Sequence, residues 1–151
     1  MAEHHLLAID PGKMTGMALF SWKNGEEPIL RWSGEVTEEQ FAEIVRSQLA
    51  YPTMQVACES FKITVETAKK SQAPFSLELI GVLKQCMRDV GRSPSEIKMQ
   101  TPADAKRMFG NPQLKKLGYW HVGGAGHALD AIRHGLLRLT TMGWKPRGLL
   151  D

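Results

Sequence analysis

The order of its apolar segments constrains this chain most. Three short apolar runs follow one another directly, and two more each come after a helical segment. The predicted strands cover residues 4–9, 15–22, 29–36, 54–58 and 96–100. Asn24-Gly25, between the second and third strands, is typical of a hairpin turn, so the first three strands should form an antiparallel meander. The order as a whole predicts an α/β fold, with a mixed five-stranded sheet flanked by helices.

The helical segments have recognisable starts. Thr37 with Gln40 forms a capping-box pattern, and Thr101-Pro102 supplies an N-cap and a first-turn proline for a short helix to residue 109. A helix over 74–90 has apolar residues on more than one narrow stripe. It is therefore either a central core helix or a helix whose second side contacts a second copy of the chain. Residues 110–124 contain four glycines and one proline, which predicts a loop, and a last helix is expected over 125–141.

Composition limits the class of protein. The 151 residues predict a single domain over 1–151, and no apolar run reaches the ~18 residues of a membrane span. The first residues lack the pattern of a signal peptide, and the two cysteines are too few for a disulfide scaffold, so we expect a cytoplasmic protein with buried thiols. Residues 1–59 carry a charge of −5 and residues 60–151 a charge of +8. This asymmetry fits either a basic surface for a polyanion or ordinary solvated faces.

Three carboxylates interrupt apolar elements. Asp10 ends the first strand, Glu59 ends the fourth, and Asp130 lies inside the last helix. If the first and fourth strands are parallel neighbours, Asp10 and Glu59 meet at one edge of the sheet, where a cation such as Mg²⁺ or Mn²⁺ would separate their charges. Helical spacing places His127, Asp130 and His134 on one polar stripe, opposite a leucine-rich face, so His127 and Asp130 can reach one ion.

Four segments together resemble the RuvC family of Holliday junction resolvases. They are residues 7–12 (LAIDPG), 15–18 (TGMA), 56–61 (VACESF) and 126–134 (GHALDAIRH). The first motif is shared across the ribonuclease-H-like superfamily, whereas the set in this order is more specific. The chain is shorter than typical bacterial members, which suggests a phage-type member.

The resemblance implies a ribonuclease-H-like fold and a homodimer that cuts two symmetric strands of a four-way junction. It also implies a site for two Mg²⁺ ions, with Mn²⁺ as a substitute, held by Asp10, Glu59 and Asp130. His127 stands where some members have Asp and others His, and imidazole also binds Mn²⁺ and can help to position water. In-line hydrolysis at such a site would leave 5′-phosphate and 3′-hydroxyl ends.

The same resemblance suggests residues that bind branched DNA. They are Phe61, Lys62, Lys69, Lys70, Lys115, Lys116 and His134. The two lysines of the 110–124 segment match a basic loop near the scissile phosphate in the family, and Phe61 is the candidate for an aromatic wedge. Each has a plainer interpretation: a core phenylalanine, a solvated loop, or a solvated helix face.

Two other functions remain open at this stage. One is a broader structure-specific nuclease that acts on forks or flaps, because the motifs constrain the cutting chemistry more than the shape of the DNA. The other is a non-catalytic junction-binding protein, for which a broken acidic set would be expected. The partner for branch migration is unknown from the sequence.

Overall fold

The computed structural model describes residues 2–66, 73–124 and 126–149. Five strands form one sheet in the order β3-β2-β1-β4-β5. Their bounds are β1 (His4–Asp10), β2 (Met14–Trp22), β3 (Ile29–Thr37), β4 (Met54–Glu59) and β5 (Lys98–Gln100). Strands β1, β2 and β3 pair antiparallel, while β4 pairs parallel with both β1 and β5. The predicted meander and the mixed five-stranded sheet are confirmed, and β1 and β4 are parallel neighbours, which is the condition for Asp10 and Glu59 to meet.

Helices cover both faces of the sheet. They are α1 (Glu38–Leu49), α2 (Ala73–Asp89), α3 (Pro102–Met108), α4 (Asn111–Leu117) and α5 (His127–Thr141). Alternate residues of β1 divide between two cores: Leu7 and Ile9 pack with α1 and α2, whereas Leu6 and Ala8 pack with α3, α4 and α5. Because both faces of β1 are buried, its end is a sheltered place for a polar group.

Two local predictions need correction. Residues 110–124 are not all loop, because Asn111–Leu117 form α4, which begins with a proline in its first turn and ends at Gly118 with a φ of 82°. The buried side chain of Leu114 supplies the tertiary anchor for this short helix. The fifth strand starts later than expected, because Ser93 caps a 3-10 turn over Pro94–Glu96.

The other helix boundaries agree closely with expectation. The capping box of Thr37 and Gln40 is present at the start of α1, and Thr101 caps α3.

Cys58 and Cys86 are both free and buried. Within the described residues, no helix combines the length and the apolar character needed to cross a membrane.

Helix α5 is buried far more completely than its sequence pattern suggests. Ten of its fifteen residues are buried, including Arg133 and His134, so the expected open polar stripe is wrong for His134. The helix lies against β1 and β2 on one side and α3 on another. Gly135 permits this contact, since a Cβ there would lie 2.2 Å from the ring of Phe20. Polar side chains on α5 must therefore find partners inside the protein.

Candidate metal centre

Three elements converge on one carboxylate cluster. Asp10 ends β1 and Glu59 ends β4, and the parallel register that pairs Ile9 with Cys58 brings the two strand ends side by side. His127 and Asp130 lie in the first turn of α5. The cluster thus occupies the carboxyl edge of the two parallel strands, where α/β sheets commonly bind ligands.

The start of α5 is held unusually close to the sheet. A Cβ on Gly16 would lie 1.8 Å from the carbonyl oxygen of His127, so only glycine fits at this position of β2. Gly126 has no side chain to cap the helix, and Oε1 of Glu35 on β3 accepts a hydrogen bond from the backbone N–H of His127 at 3.1 Å instead. Sequence reasoning assigned no structural role to Gly16 or Glu35, because each acts on a helix more than ninety positions away.

Asp10, His127 and Asp130 form the group best suited to hold a cation. The ligand atoms that they offer all lie within 4.8 Å of one another, and Nδ1 of His127 is 3.3 Å from Oδ2 of Asp10. Asp10 is only 4% exposed, whereas the other two are half-buried. Two carboxylates and an imidazole are an appropriate donor set for Mg²⁺ or Mn²⁺, so the residues fit the expected metal.

Asp10 and Glu59 influence each other's ionisation, and their pKa values shift in opposite directions. Burial, together with the hydrogen bond to Glu59 and the charges of Glu59 and Asp130, raises the pKa of Asp10. Burial also opposes ionisation of Glu59. The hydrogen bonds from His134 and Asp10, with the positive charge of Lys106, outweigh it and hold the pKa of Glu59 below its ordinary value. The two carboxyl groups therefore resist being ionised together, and a cation between them would relieve that repulsion.

A buried arginine supports Asp130. The Arg133 guanidinium donates to Oδ1 of Asp130 at 2.7 Å and to the carbonyl oxygen of Phe109 at 2.9 Å. It also donates to the side-chain oxygen of Asn111. With only 7% of Arg133 exposed, these contacts connect α5 to the turn between α3 and α4.

His134 supports Glu59 as Arg133 supports Asp130. It is 1% exposed, and its Nε2 is 3.2 Å from Oε1 of Glu59. This location does not fit the direct DNA contact that we expected from the sequence. His134 instead belongs to the layer of side chains behind the carboxylates.

The other expected DNA-binding residues lie in several places. Phe61 is half-buried and packs against the core formed with α1 and α2, while Lys62 is exposed. Lys115 and Lys116 are exposed on α4, with Nζ of Lys115 4.9 Å from the ring centre of Trp120. Lys69 and Lys70 lie outside the described residues.

Lys106 and Trp120 are two further candidate DNA-binding residues that sequence reasoning overlooked. Together with Asp130 and Arg133 they line a cavity of about 420 Å³ beside the cluster. A larger cavity of about 540 Å³, between Trp22 and the end of α5, contains none of the candidate metal ligands. Lys106 on α3 gave no sequence signal, because its relation to the carboxylates depends on how α3 packs.

Comparison with solved structures identifies the fold. The chain is similar to RuvC of Thermus thermophilus, with a TM-score of 0.67 and 15% sequence identity over 92% of this chain and 96% of that one. The same values, with 14% identity, describe its similarity to T. thermophilus RuvC in complex with a Holliday junction substrate. The fowlpox virus Holliday junction resolvase is similar with a TM-score of 0.51 and 14% identity, over 91% of this chain and 97% of that one.

No family model and no curated protein sequence matches this chain. The likeness therefore lies in the three-dimensional arrangement rather than in overall sequence. It confirms the ribonuclease-H-like fold of RuvC that the four sequence motifs predicted.

Proposed function

We propose, from a fold shared with resolvases and the carboxylate cluster at its centre, that this chain is a metal-dependent endonuclease that resolves Holliday junctions. The observation that supports this best is the convergence of Asp10, His127 and Asp130 within 4.8 Å at the carboxyl edge of β1 and β4. Among the similar structures, T. thermophilus RuvC is in complex with a Holliday junction substrate, and the fowlpox virus protein is a Holliday junction resolvase. A non-catalytic binding protein would have no need of an intact acidic set in a buried place.

The chain's residues have distinct parts in this proposal. Asp10 and Glu59 would hold Mg²⁺ or Mn²⁺ from the sheet, with Asp130 and His127 completing the ligand set from α5. Held by these residues, two such ions would supply the chemistry of phosphodiester hydrolysis, namely activation of water and stabilisation of the leaving 3′ oxygen, and the products would have 5′-phosphate and 3′-hydroxyl ends. Arg133 fixes one oxygen of Asp130 and leaves the other available.

A four-way junction needs two symmetric cuts, so we propose that two copies of the chain act together. Leu77, in the first half of α2, exposes 39% of its surface. An apolar contact there would be consistent with the interpretation in which the second side of this helix contacts a second copy of the chain. Light scattering at micromolar concentration should give twice the mass of the 151-residue chain.

Positive charge near the cluster would guide the DNA. Lys106 lies beside the carboxylates, and Lys115 and Lys116 lie exposed on the next helix, α4. Such side chains bind phosphates without reading the base sequence. We propose Lys62 as a further phosphate contact, beyond the end of β4.

The decisive experiment compares end-labelled four-way junction, fork and linear duplex DNA, each with Mg²⁺, Mn²⁺ or EDTA. We expect paired symmetric nicks in the junction with either metal and none in EDTA. Asp10→Asn should abolish cutting, whereas Asp89→Asn, a matched change at an exposed site on α2, should not. Equal cutting of the fork would make the chain a broader branched-DNA nuclease, and no metal-dependent cutting of any substrate would refute the proposal.

A further inference from the structure

A continuous hydrogen-bonded chain runs from β5 through α5 to Glu59. Nε2 of Gln100 is 2.9 Å from the carbonyl oxygen of His134 and 3.2 Å from Nδ1 of the same residue. Nε2 of His134 is then 3.2 Å from Oε1 of Glu59. Gln100 is 7% exposed and His134 is 1% exposed, so bulk water cannot substitute for these contacts.

The chemistry of the three groups determines where the imidazole proton lies. A backbone carbonyl can only accept, so the amide group of Gln100 must present its nitrogen to His134. That NH₂ group has two protons, one for the carbonyl oxygen and one for Nδ1. Nδ1 must then be the unprotonated nitrogen, and the ring proton lies on Nε2. The proton on Nε2 points at the carboxylate of Glu59.

The sheet holds Gln100 in place for this task. Gln100 is the neighbour of Glu59 in the parallel pairing of β5 with β4, so both side chains leave the same face of the sheet. The backbone N–H of Ser60 also donates to the carbonyl oxygen of Gln100 at 2.7 Å. The position of Gln100 relative to Glu59 is therefore defined by the backbone rather than by flexible side chains.

We propose that Gln100 and His134 are positioning residues for Glu59: Gln100 selects the Nε2–H form of His134, which donates to the carboxylate and fixes its orientation for a metal ion. The role of Glu59 as a ligand rests on the proposed function. Partners behind metal ligands typically change metal affinity by about 10–100-fold when they are removed. Reorienting Glu59 should weaken metal binding without removing any ligand.

The test is Mn²⁺ binding by isothermal titration calorimetry, combined with ¹H–¹⁵N NMR of the His134 ring in metal-free protein. His134→Met removes the donor, and His134→Gln retains an N–H at a similar reach. We expect His134→Met to weaken Mn²⁺ binding by about 10-fold or more and His134→Gln to recover most of that loss. Gln100→Met should weaken binding and shift part of the ring proton to Nδ1, while Gln85→Met, at an exposed position of α2, should change neither.

Two results would overturn this inference. One is a wild-type His134 ring that carries its proton on Nδ1, and the other is unchanged Mn²⁺ affinity in a folded His134→Met variant. The proposed function fails differently: wild type and Asp10→Asn would then bind Mn²⁺ equally or not at all. Near-ultraviolet circular dichroism identifies any variant that does not fold, in which case the NMR result on the wild type still decides the proton position.

Discussion

Asp10 faces opposing demands, because it is buried and yet would have to be ionised to hold a cation. Its carboxyl group ends a strand that is covered on both faces, and Glu59 and Asp130 add negative charge nearby. A neutral residue of the same shape at this position would make the folded protein more stable. The sequence identified Asp10 as a candidate metal ligand. The cost of ionising it in the folded protein comes from tertiary packing, which no local pattern predicts.

The cost of ionising the buried Asp10 leads to a stability prediction for Asp10→Asn in EDTA. A carboxyl group whose pKa is raised by folding stabilises the folded state fully only below its unfolded pKa of about 4, and that contribution is lost as the pH rises. We therefore expect the variant to melt at a higher temperature than wild type by about 5 °C at pH 8, and by less at pH 5. Differential scanning fluorimetry checks this. A difference in melting temperature that stays constant with pH would contradict the raised pKa.

Arg133 is a second residue whose importance depends on burial. Arg133→Met leaves the carboxylate of Asp130 and the carbonyl oxygen of Phe109 without their donor, and we expect a loss of about 2–4 kcal/mol in the free energy of unfolding. Arg107→Met removes a similarly short but exposed pair with Asp104 and should cost less than about 0.5 kcal/mol. Urea unfolding compares them, and equal losses would show that burial of Arg133 is unimportant.

At the scale of secondary-structure elements, the position of the first turn of α5 has the largest effect on the geometry of the candidate metal centre. Strand ends supply two carboxylates with little ambiguity, because parallel neighbours end at the same edge. The approach of α5 depends instead on the missing side chain of Gly16 and on the cap from Glu35. A sequence pattern predicts that a helix exists over 127–141, yet it does not say how closely its first turn approaches a strand.

Gly16→Ala should therefore disturb the site through the backbone. The added Cβ would meet the carbonyl group of His127, so α5 must move away from Asp10. We expect a loss of about 2–3 kcal/mol in stability and a clear weakening of Mn²⁺ binding. Gly81→Ala, on α2 with nothing within 4 Å of the new Cβ, should be neutral or stabilising by up to about 1 kcal/mol. Equal behaviour of the two variants would refute the close approach of α5.

At the scale of the whole molecule, the fold places a group of acidic residues and a group of lysines on opposite faces of the sheet. In the sequence these charges are only concentrated in different parts of the chain. Glu38, Glu39 and Glu43 lie on α1. Lys106, Lys115 and Lys116 lie on α3 and α4, which pack on the opposite face of the sheet from α1. A basic region beside the carboxylate cluster is consistent with a polyanionic substrate.

Charge reversal tests this region directly. We expect the double variant Lys115→Glu, Lys116→Glu to weaken binding of a four-way junction by about 10-fold or more near 0.1 M salt and to reduce the salt dependence. Lys23→Glu, beyond β2 at the opposite end of the sheet from Asp10, should change affinity by less than about twofold. Gel-shift titrations at several salt concentrations provide the measurement, and equal effects would place the DNA elsewhere.

The sequence by itself predicted the antiparallel meander, the mixed five-stranded sheet and the caps of α1 and α3, because these follow from short-range periodicity. It made the meeting of Asp10 with Glu59 conditional on a parallel β1–β4 pair, which the tertiary structure supplies. Only the tertiary structure decided the surroundings of that site. His134 looked like part of a solvated stripe, since helical periodicity cannot distinguish a polar residue facing water from one paired inside. Its partner Gln100 lies on another element, and Lys106, Glu35 and Gly16 likewise act across the fold. Contacts between distant segments leave no mark in local sequence.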